Sequence, residues 1–240
     1  MYQLYQHQPN LINTMKAAIY HFTNSSNKRP SINQKQLNNL NDYAMSLGCD
    51  DVEIFCDKSH LICERSEFNK MLSSMKQFDL LITKDFFHIN KNTSMCMNIV
   101  KQLKDIGIHI YTLENGKFTW IEAPFDQPLK IATYCCRFGA INEMKQIIAV
   151  NNDVLKMYAT KKTEWTVIDQ YFDESQHQND GEQLELKKLI QNKDRYDLLL
   201  VHNFNDIHWR TANFCKVRKQ LHLDIYSLQE GFLKYNKEII

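Results

Sequence analysis

Residues 78–93 read FDLLITKDFFHINKNT, and residues 196–211 read YDLLLVHNFNDIHWRT. The second stretch lies at a constant offset of 118 residues, since position 78 becomes 196 and position 93 becomes 211. Each stretch has an aromatic residue, an aspartate and an apolar run of strand length, followed by a polar turn that leads into a helix-like segment. Two further blocks repeat in the same order, 16–20 (KAAIY) with 130–134 (KIATY) and 108–116 (IHIYTLENG) with 223–231 (LDIYSLQEG). Three matched blocks in one order predict a tandem duplication.

Hydrophobic spacing predicts the same order of elements in both halves. The first half has strands at 15–22, 52–56, 80–83 and 108–113, with helices around 31–48, 68–75 and 95–103. The second half has strands at 130–134, 166–172, 198–201 and 223–228, with helices around 144–158, 184–190 and 211–221. This alternation predicts two tandem three-layer α/β/α domains with mainly parallel sheets. Because Pro124 and Pro128 interrupt the pattern, we expect an N-terminal extension (1–14), a first repeat (15–118), a linker (119–128) and a second repeat (129–240).

The composition is that of a soluble globular protein, with 43% hydrophobic and 24% charged residues among 240. A formal net charge of +1 gives the molecule no overall basic field, which weakens a DNA-binding role without excluding it. Seven scattered cysteines, an odd number, favour a reducing cytoplasm over a disulfide framework. No window approaches the ~18 apolar residues of a membrane span, and no signal peptide is evident. We therefore expect a cytoplasmic protein with no membrane association.

The repeated blocks resemble the catalytic domain of the serine recombinases, the resolvase/invertase family. The family pattern is a strand ending in Tyr-x-Arg-x-Ser, a helix, a strand ending in Asp and a short helix. An apolar strand then leads into Asp-Arg-Leu-x-Arg, followed by another helix and a strand ending near Glu-Asn or Glu-Gly. The order and lengths match over nearly the whole of both halves. The resemblance implies a recombinase fold, in which a serine attacks a DNA phosphodiester and arginines stabilise the charge on the phosphoryl oxygens.

The nucleophile of that pattern is not found at its place. In the first copy, residues 20–24 (YHFTN) put a phenylalanine at the arginine and Asn24 at the serine, with Ser25 and Ser26 just beyond. In the second copy, residues 134–138 (YCCRF) put Cys136 at the arginine and a phenylalanine at the serine. A register shifted by one residue would restore the arginine as Arg137 but would put a glycine at the nucleophile.

Most of the cations are also replaced. The second motif becomes FHINK at 87–91 and NDIHW at 205–209, so both of its arginines are absent from both copies. Arg65 falls near a third family arginine, and Gly181 holds that place in the second copy. The catalytic candidates implied by the resemblance are therefore Ser25, Ser26, Arg65, His88 and Lys91.

Two other groupings contain residue types that could bind a ligand. Cys56, His60 and Cys63, with Cys49 nearby, have loosely metal-like spacing, but Cys56 ends an apolar strand where a buried thiol is common, so we predict no metal and no cofactor. Residues 208–210 (HWR) could stack on a nucleotide, whereas packing of this helix start against the other repeat is the favoured interpretation.

The favoured function is that of a resolvase-like protein without recombinase chemistry, acting as a binding or assembly module connected with DNA recombination. Its expected partners are DNA, another recombinase-type subunit, or a second copy in a homodimer. One alternative is a divergent serine recombinase that cleaves and transfers DNA strands, and another is an α/β protein that binds a small ligand at the carboxyl ends of its strands. Each repeat stops near Gly116 or Gly231, so no long dimerisation helix is expected. Apolar residues near these ends, such as Trp120, Phe125 and Phe232, are expected to pack across the repeats or between chains.

Overall fold

The computed structural model describes residues 15–24, 30–59, 65–114, 116–118, 127–138, 141–162, 164–175 and 183–235. The first half contains β1 (Met15–Asn24), α1 (Pro30–Ser46), β2 (Cys49–Ser59), α2 (Ser66–Ser74), β3 (Leu80–Thr83), α3 (Phe86–Ile89), α4 (Thr93–Asp105), β4 (His109–Thr112) and β5 (Gly116–Phe118). The second half contains β6 (Leu129–Phe138), α5 (Ile141–Thr160), β7 (Trp165–Ser175), α6 (Leu184–Gln191), β8 (Leu198–Val201), a short 3₁₀ turn (Phe204–Asp206), α7 (Thr211–Leu221), β9 (Asp224–Ser227) and β10 (Gly231–Leu233).

These strands form two five-stranded sheets with the same topology. The first has the order β2-β1-β3-β4-β5, and the second, taken in the same sense, has the order β7-β6-β8-β9-β10. The pairs β1–β2, β6–β7, β6–β8 and β8–β9 are parallel, whereas the last pair of each sheet is an antiparallel hairpin. The expected fold class, three-layer α/β with mainly parallel sheets, is confirmed.

The central strands are the ones that sequence predicts most accurately. All four residues of β3 (LLIT) and all four of β8 (LLLV) are buried, as expected for parallel strands covered on both faces. The short strands β5 and β10 lie where the sequence predicts the ends of the repeats, so the sequence does not predict them. Each has only three residues and depends on pairing with the strand before it.

By their contacts, the residues group into two compact units, Met1–Ile82 and Thr83–Ile240. In the first unit, Ile19 and Tyr20 of β1 are fully buried, as are Leu40 of α1 and Met71 of α2. The expected linker is described only at its last two residues, so the domain bounds 15–118 and 129–240 stay a prediction. None of the described helices is both long and apolar enough to cross a membrane.

The second unit contains a core cluster beneath β6 and β8, in which Phe232 of β10 packs with Ile131, Trp165 and Leu198. The expectation that Phe232 packs across the repeats or between chains is therefore wrong. Phe232 packs in the core of its own sheet because β10 pairs with β9 and extends that sheet by one strand. Trp120 and Phe125 lie outside the described residues.

Candidate functional site

A tyrosine and an aspartate join the ends of β1 and β2 to the start of α2. The Tyr20 hydroxyl donates to Oδ2 of Asp57 at 3.0 Å. The same carboxylate accepts hydrogen bonds from the backbone N–H groups of Glu67 (3.1 Å) and Phe68 (3.0 Å). These amides lie in the first turn of α2, where an anion satisfies otherwise unpaired N–H donors and complements the helix dipole. Asp57 is thus a buried helix cap that also orients the tyrosine.

The second sheet contains the same arrangement. The Tyr134 hydroxyl donates to Asp173 at 2.9 Å, and Asp173 accepts from the backbone N–H groups of Glu185 and Leu186, each at 3.0 Å. The family resemblance implies an aspartate at the end of this strand, and both copies have one. Burial raises the pKa of Tyr134 and that of Tyr20, so both phenols keep their protons at neutral pH.

The two arrangements differ in a third side chain, which bonds to the tyrosine hydroxyl. Nε of Arg65 donates to the Tyr20 hydroxyl at 3.1 Å, and its guanidinium lies 3.8 Å from the centre of the Phe68 ring. In the second copy, Nε2 of Gln183 donates to the Tyr134 hydroxyl, also at 3.1 Å. Gln183 is therefore the counterpart of Arg65, and the assignment of Gly181 to that place is wrong. Arg65 and Gln183 each stand immediately before a helix, α2 and α6 respectively. Their equivalence is therefore found by aligning the helix starts, and not by counting residues from the end of the preceding strand.

The candidate nucleophiles Ser25 and Ser26 lie outside the described residues. The strand that leads to them, β1, ends at Asn24.

His88 and Lys91 follow β3. His88 Nδ1 lies 2.7 Å from Oδ1 of Asp85, and this carboxylate also caps α3 by accepting from the backbone N–H of His88 at 3.1 Å. Burial acts to raise the pKa of Asp85, but the bond and charge of His88 outweigh it and lower the pKa. Lys91 Nζ lies 5.3 Å from the centre of the Phe87 ring. Both side chains are thus engaged within their own segment.

At the offset of 118 residues, Asp206 takes the place of His88 in the second copy. Asp206 is 1% exposed and forms an ion pair with Arg137, which also donates to the Cys136 carbonyl at 2.8 Å. Burial raises the pKa of Asp206 to about 6, although Arg137 acts in the opposite direction. The place that the resemblance gives to an arginine is therefore occupied by a buried acid after β8 of the second sheet.

We expect Asp206 to make the stability of the protein depend on pH. Its folded-state pKa lies above the ordinary value of 3.8, so its contribution is complete below that value and is lost as the pH rises through about 6. Relative to the Asp206→Asn variant, the free energy of unfolding should fall by about 2 kcal/mol between pH 4 and pH 7. Urea unfolding of both proteins across this range measures the difference, and a difference independent of pH would contradict the assignment.

The segments after β3 and β8 bind each other. The backbone N–H of Thr93 donates to the Trp209 carbonyl at 2.9 Å, and that of Thr211 donates to the Lys91 carbonyl at 3.0 Å. Between these bonds, Asn92 and Arg210 form an antiparallel bridge. We call residues 90–93 and 208–211 together the clasp.

The threonine hydroxyls of the clasp are also reciprocal. Thr93 Oγ1 donates to the His208 carbonyl at 2.6 Å, and Thr211 Oγ1 donates to the Asn90 carbonyl at 2.7 Å. The offset of 118 residues maps each of these bonds onto the other. Such mutual contacts are typical of an interface with two-fold symmetry. The favoured interpretation of residues 208–210, packing against the other repeat, agrees with these bonds.

Comparison with known proteins assigns the class: the chain carries a resolvase-like domain. Residues 24–130 match the family model "Resolvase, N terminal domain", so the resemblance to the serine recombinases is confirmed. Two curated resolvases match, one from Clostridium perfringens at 27% identity over 101 residues and one from its strain 13 / Type A at 28%. These matches cover 42% of this chain and 52% of each relative, so the chain spans about half the length of the curated relatives it matches.

Solved structures are similar at lower identity. The N-terminal catalytic domain of TP901-1 integrase is 18% identical, with a TM-score of 0.36, over 42% of this chain and 78% of that one. The C-terminal catalytic domain of ISC1926 TnpA, an IS607-like serine recombinase, is 17% identical, with a TM-score of 0.37, over 61% and 85%. A solute-binding protein of an ABC transporter from Clostridium phytofermentas is 15% identical, with a TM-score of 0.31, over 89% and 68%.

Proposed function

We propose that this resolvase-like protein acts in DNA recombination as a binding or assembly module and does not cleave DNA. The observation that carries the proposal is the clasp. Residues 87–91 and 205–209, at the place of the family's Asp-Arg-Leu-x-Arg motif, lead directly into the clasp. The carbonyl groups of Lys91 and Trp209 accept two of its hydrogen bonds. These segments therefore serve a contact between two parts of the chain.

The charges around the same segments support this proposal. A phosphoryl-transfer site needs fixed cations where negative charge develops. His88 is held by Asp85, and Arg137 is held by the buried Asp206. A site without its nucleophile and most of its cations would lose many powers of ten in rate. We infer that catalysis is absent in both copies.

The reciprocal bonds of the clasp support a duplicated chain that imitates a dimer. In this proposal, the repeats 15–118 and 129–240 are the two halves of a covalent pair, joined by the linker 119–128. Its partners are DNA, another recombinase-type subunit or a second copy of itself, in the cytoplasm. In an isologous interface, the same surface of each partner faces the other, and the contact closes after two partners. In this proposal, the contact between the two repeats would occupy the surface that two separate subunits would otherwise use to dimerise.

The second candidate is a divergent strand-cleaving enzyme. The first copy favours it because Arg65, Tyr20 and Asp57 form one hydrogen-bonded group next to the strand that leads to Ser25 and Ser26. In this case one of these two serines is the nucleophile, and Arg65 supplies a cation.

A DNA-cleavage assay separates the two candidates. We expect the purified chain to leave supercoiled DNA carrying crossover sites from its host uncut and to form no covalent adduct. An active serine recombinase acting on its own site, in the same buffer, is the positive control. A phosphoserine-linked nucleotide at Ser25 or Ser26, found by mass spectrometry, would establish the enzyme instead.

The binding role needs its own measurement. Pull-down from the host, with and without nuclease, should retain either DNA or an identified recombinase-type subunit, and light scattering reports a second copy. A protein that remains monomeric and retains neither partner would contradict the assembly role.

A further inference from the structure

The two ends of the clasp are built differently, and a pocket lies at one of them. At the first end, the backbone N–H of Ser94 donates to Asn205 Oδ1 at 3.0 Å, and its hydroxyl donates to Glu230 Oε1 at 3.1 Å. Glu230 is 4% exposed and also accepts from the backbone N–H of Phe204 at 3.1 Å. At this end, the amide oxygen of Asn205 therefore satisfies an N–H of the first turn of α4, and the buried Glu230 holds the Ser94 hydroxyl.

At the other end, the offset of 118 residues puts Ala212 in the place of Ser94 and Phe87 in the place of Asn205. Alanine and phenylalanine cannot form the hydrogen bonds that serine and asparagine form. A pocket of about 110 Å³ opens there, lined by Asp85, Phe87, Glu114, Ala212, Cys215, Lys216 and Lys219. Asp85 and Glu114 follow β3 and β4, so the pocket lies at the carboxyl ends of two strands, as expected for ligand sites in α/β sheets.

Both acids of this pocket have a partner among the described residues. Asp85 bonds to His88, and Glu114 lies 3.4 Å from the ammonium of Lys84. For Lys216 and Lys219, one turn apart on α7, the described residues provide no ion pair. Arg210 stands at the N-cap position of α7, and its side chain forms no capping hydrogen bond there. At the equivalent position of α4, the side chain of Asn92 accepts a hydrogen bond from the backbone N–H of Met95. The positive end of the α7 dipole adds to the attraction for an anion.

We propose that this pocket binds a carboxylate carried on a small aromatic or apolar body. The carboxylate lies near the Ala212 N–H and the two lysines. The apolar body lies against the ring of Phe87 and the buried Cys215. Because Asp85 and Glu114 repel additional negative charge, a single carboxylate fits better than a phosphate dianion. The same chemistry occurs in a free organic acid and at the C-terminus of a peptide.

Titration of the full ¹⁵N-labelled chain with phenylacetate tests the proposal. We expect saturable binding in the millimolar range, as is ordinary for so small a ligand, with a shift of the Ala212 amide resonance. Phenylacetamide, which has the same shape without the charge, and inorganic phosphate should not saturate. A dipeptide ending in phenylalanine, compared with its C-terminal amide, distinguishes a peptide source from a free acid.

Variants separate this site from general charge effects. Lys216→Gln with Lys219→Gln should weaken phenylacetate binding about tenfold, whereas Lys101→Gln, at the equivalent position of Lys219 on α4, should leave it unchanged. Phe87→Asn with Ala212→Ser rebuilds the polar pair of the other end and should abolish binding without lowering the thermal midpoint. If that double variant melts early, the lysine variants decide alone. Absence of saturable phenylacetate binding, equal binding of the amide, or an unchanged affinity in the lysine variant would overturn the proposal.

Discussion

Replacing Arg137 with methionine is expected to lower the free energy of unfolding at neutral pH by about 3–5 kcal/mol. Asp206 is 1% exposed, and Arg137 is its ion-pair partner. Removal of the guanidinium leaves a carboxylate that is buried without a compensating charge, and desolvation of an unpaired charge is one of the largest single costs in a protein. Urea or guanidinium unfolding at pH 7 measures the loss.

The double variant Arg137→Met with Asp206→Asn provides the control. With no charge left to bury, it should recover most of the loss, which gives a large coupling energy in a double-mutant cycle. The cost of the single variant should also shrink below about pH 6, since Asp206 then binds a proton. A cost that is equal in the single and double variants would mean that Arg137 stabilises the protein through packing alone.

Local sequence predicts the buried parts of this fold well and its edges poorly. The central strands β3 and β8 match their predicted bounds because runs of three or four consecutive apolar residues are typical of parallel strands that are covered on both faces. The outer strands β2 and β7 extend several residues beyond their predicted bounds. Their ends carry polar residues such as Asp57 and Asp173, which look like loop in the sequence but cap the next helix.

The site residues that sequence reasoning missed all act through contacts between distant positions. Arg137 and Asp206 are 69 residues apart, and Thr93 contacts His208 across 115 residues. No local period reveals such pairs. The available signal was the repeat itself, since Thr93 and Thr211 are identical at the offset of 118 residues, and reciprocal contact between equivalent positions is how two-fold interfaces are made.

Replacing Asp57 or Asp173 with alanine is expected to cost about 2–4 kcal/mol in each copy. Each carboxylate accepts one tyrosine hydroxyl and two backbone N–H groups, so alanine leaves three donors without an acceptor in a buried place. Urea unfolding measures the loss, and hydrogen exchange at the amides of Phe68 and Leu186 shows whether the helix start has opened in the altered copy.

Arg65→Gln is the matched control for this last prediction, because it gives the first copy the side chain that the second copy has in Gln183. Since Gln183 bonds to Tyr134 at the same 3.1 Å that joins Arg65 to Tyr20, we expect this variant to lose less than about 1 kcal/mol, the ordinary net worth of one hydrogen bond. Asp57→Asn keeps one acceptor oxygen and should fall between the two. If Arg65→Gln destabilises the protein as much as Asp57→Ala, then the arginine, and not the aspartate cap, holds the start of α2 in place, and the two copies are maintained by different forces.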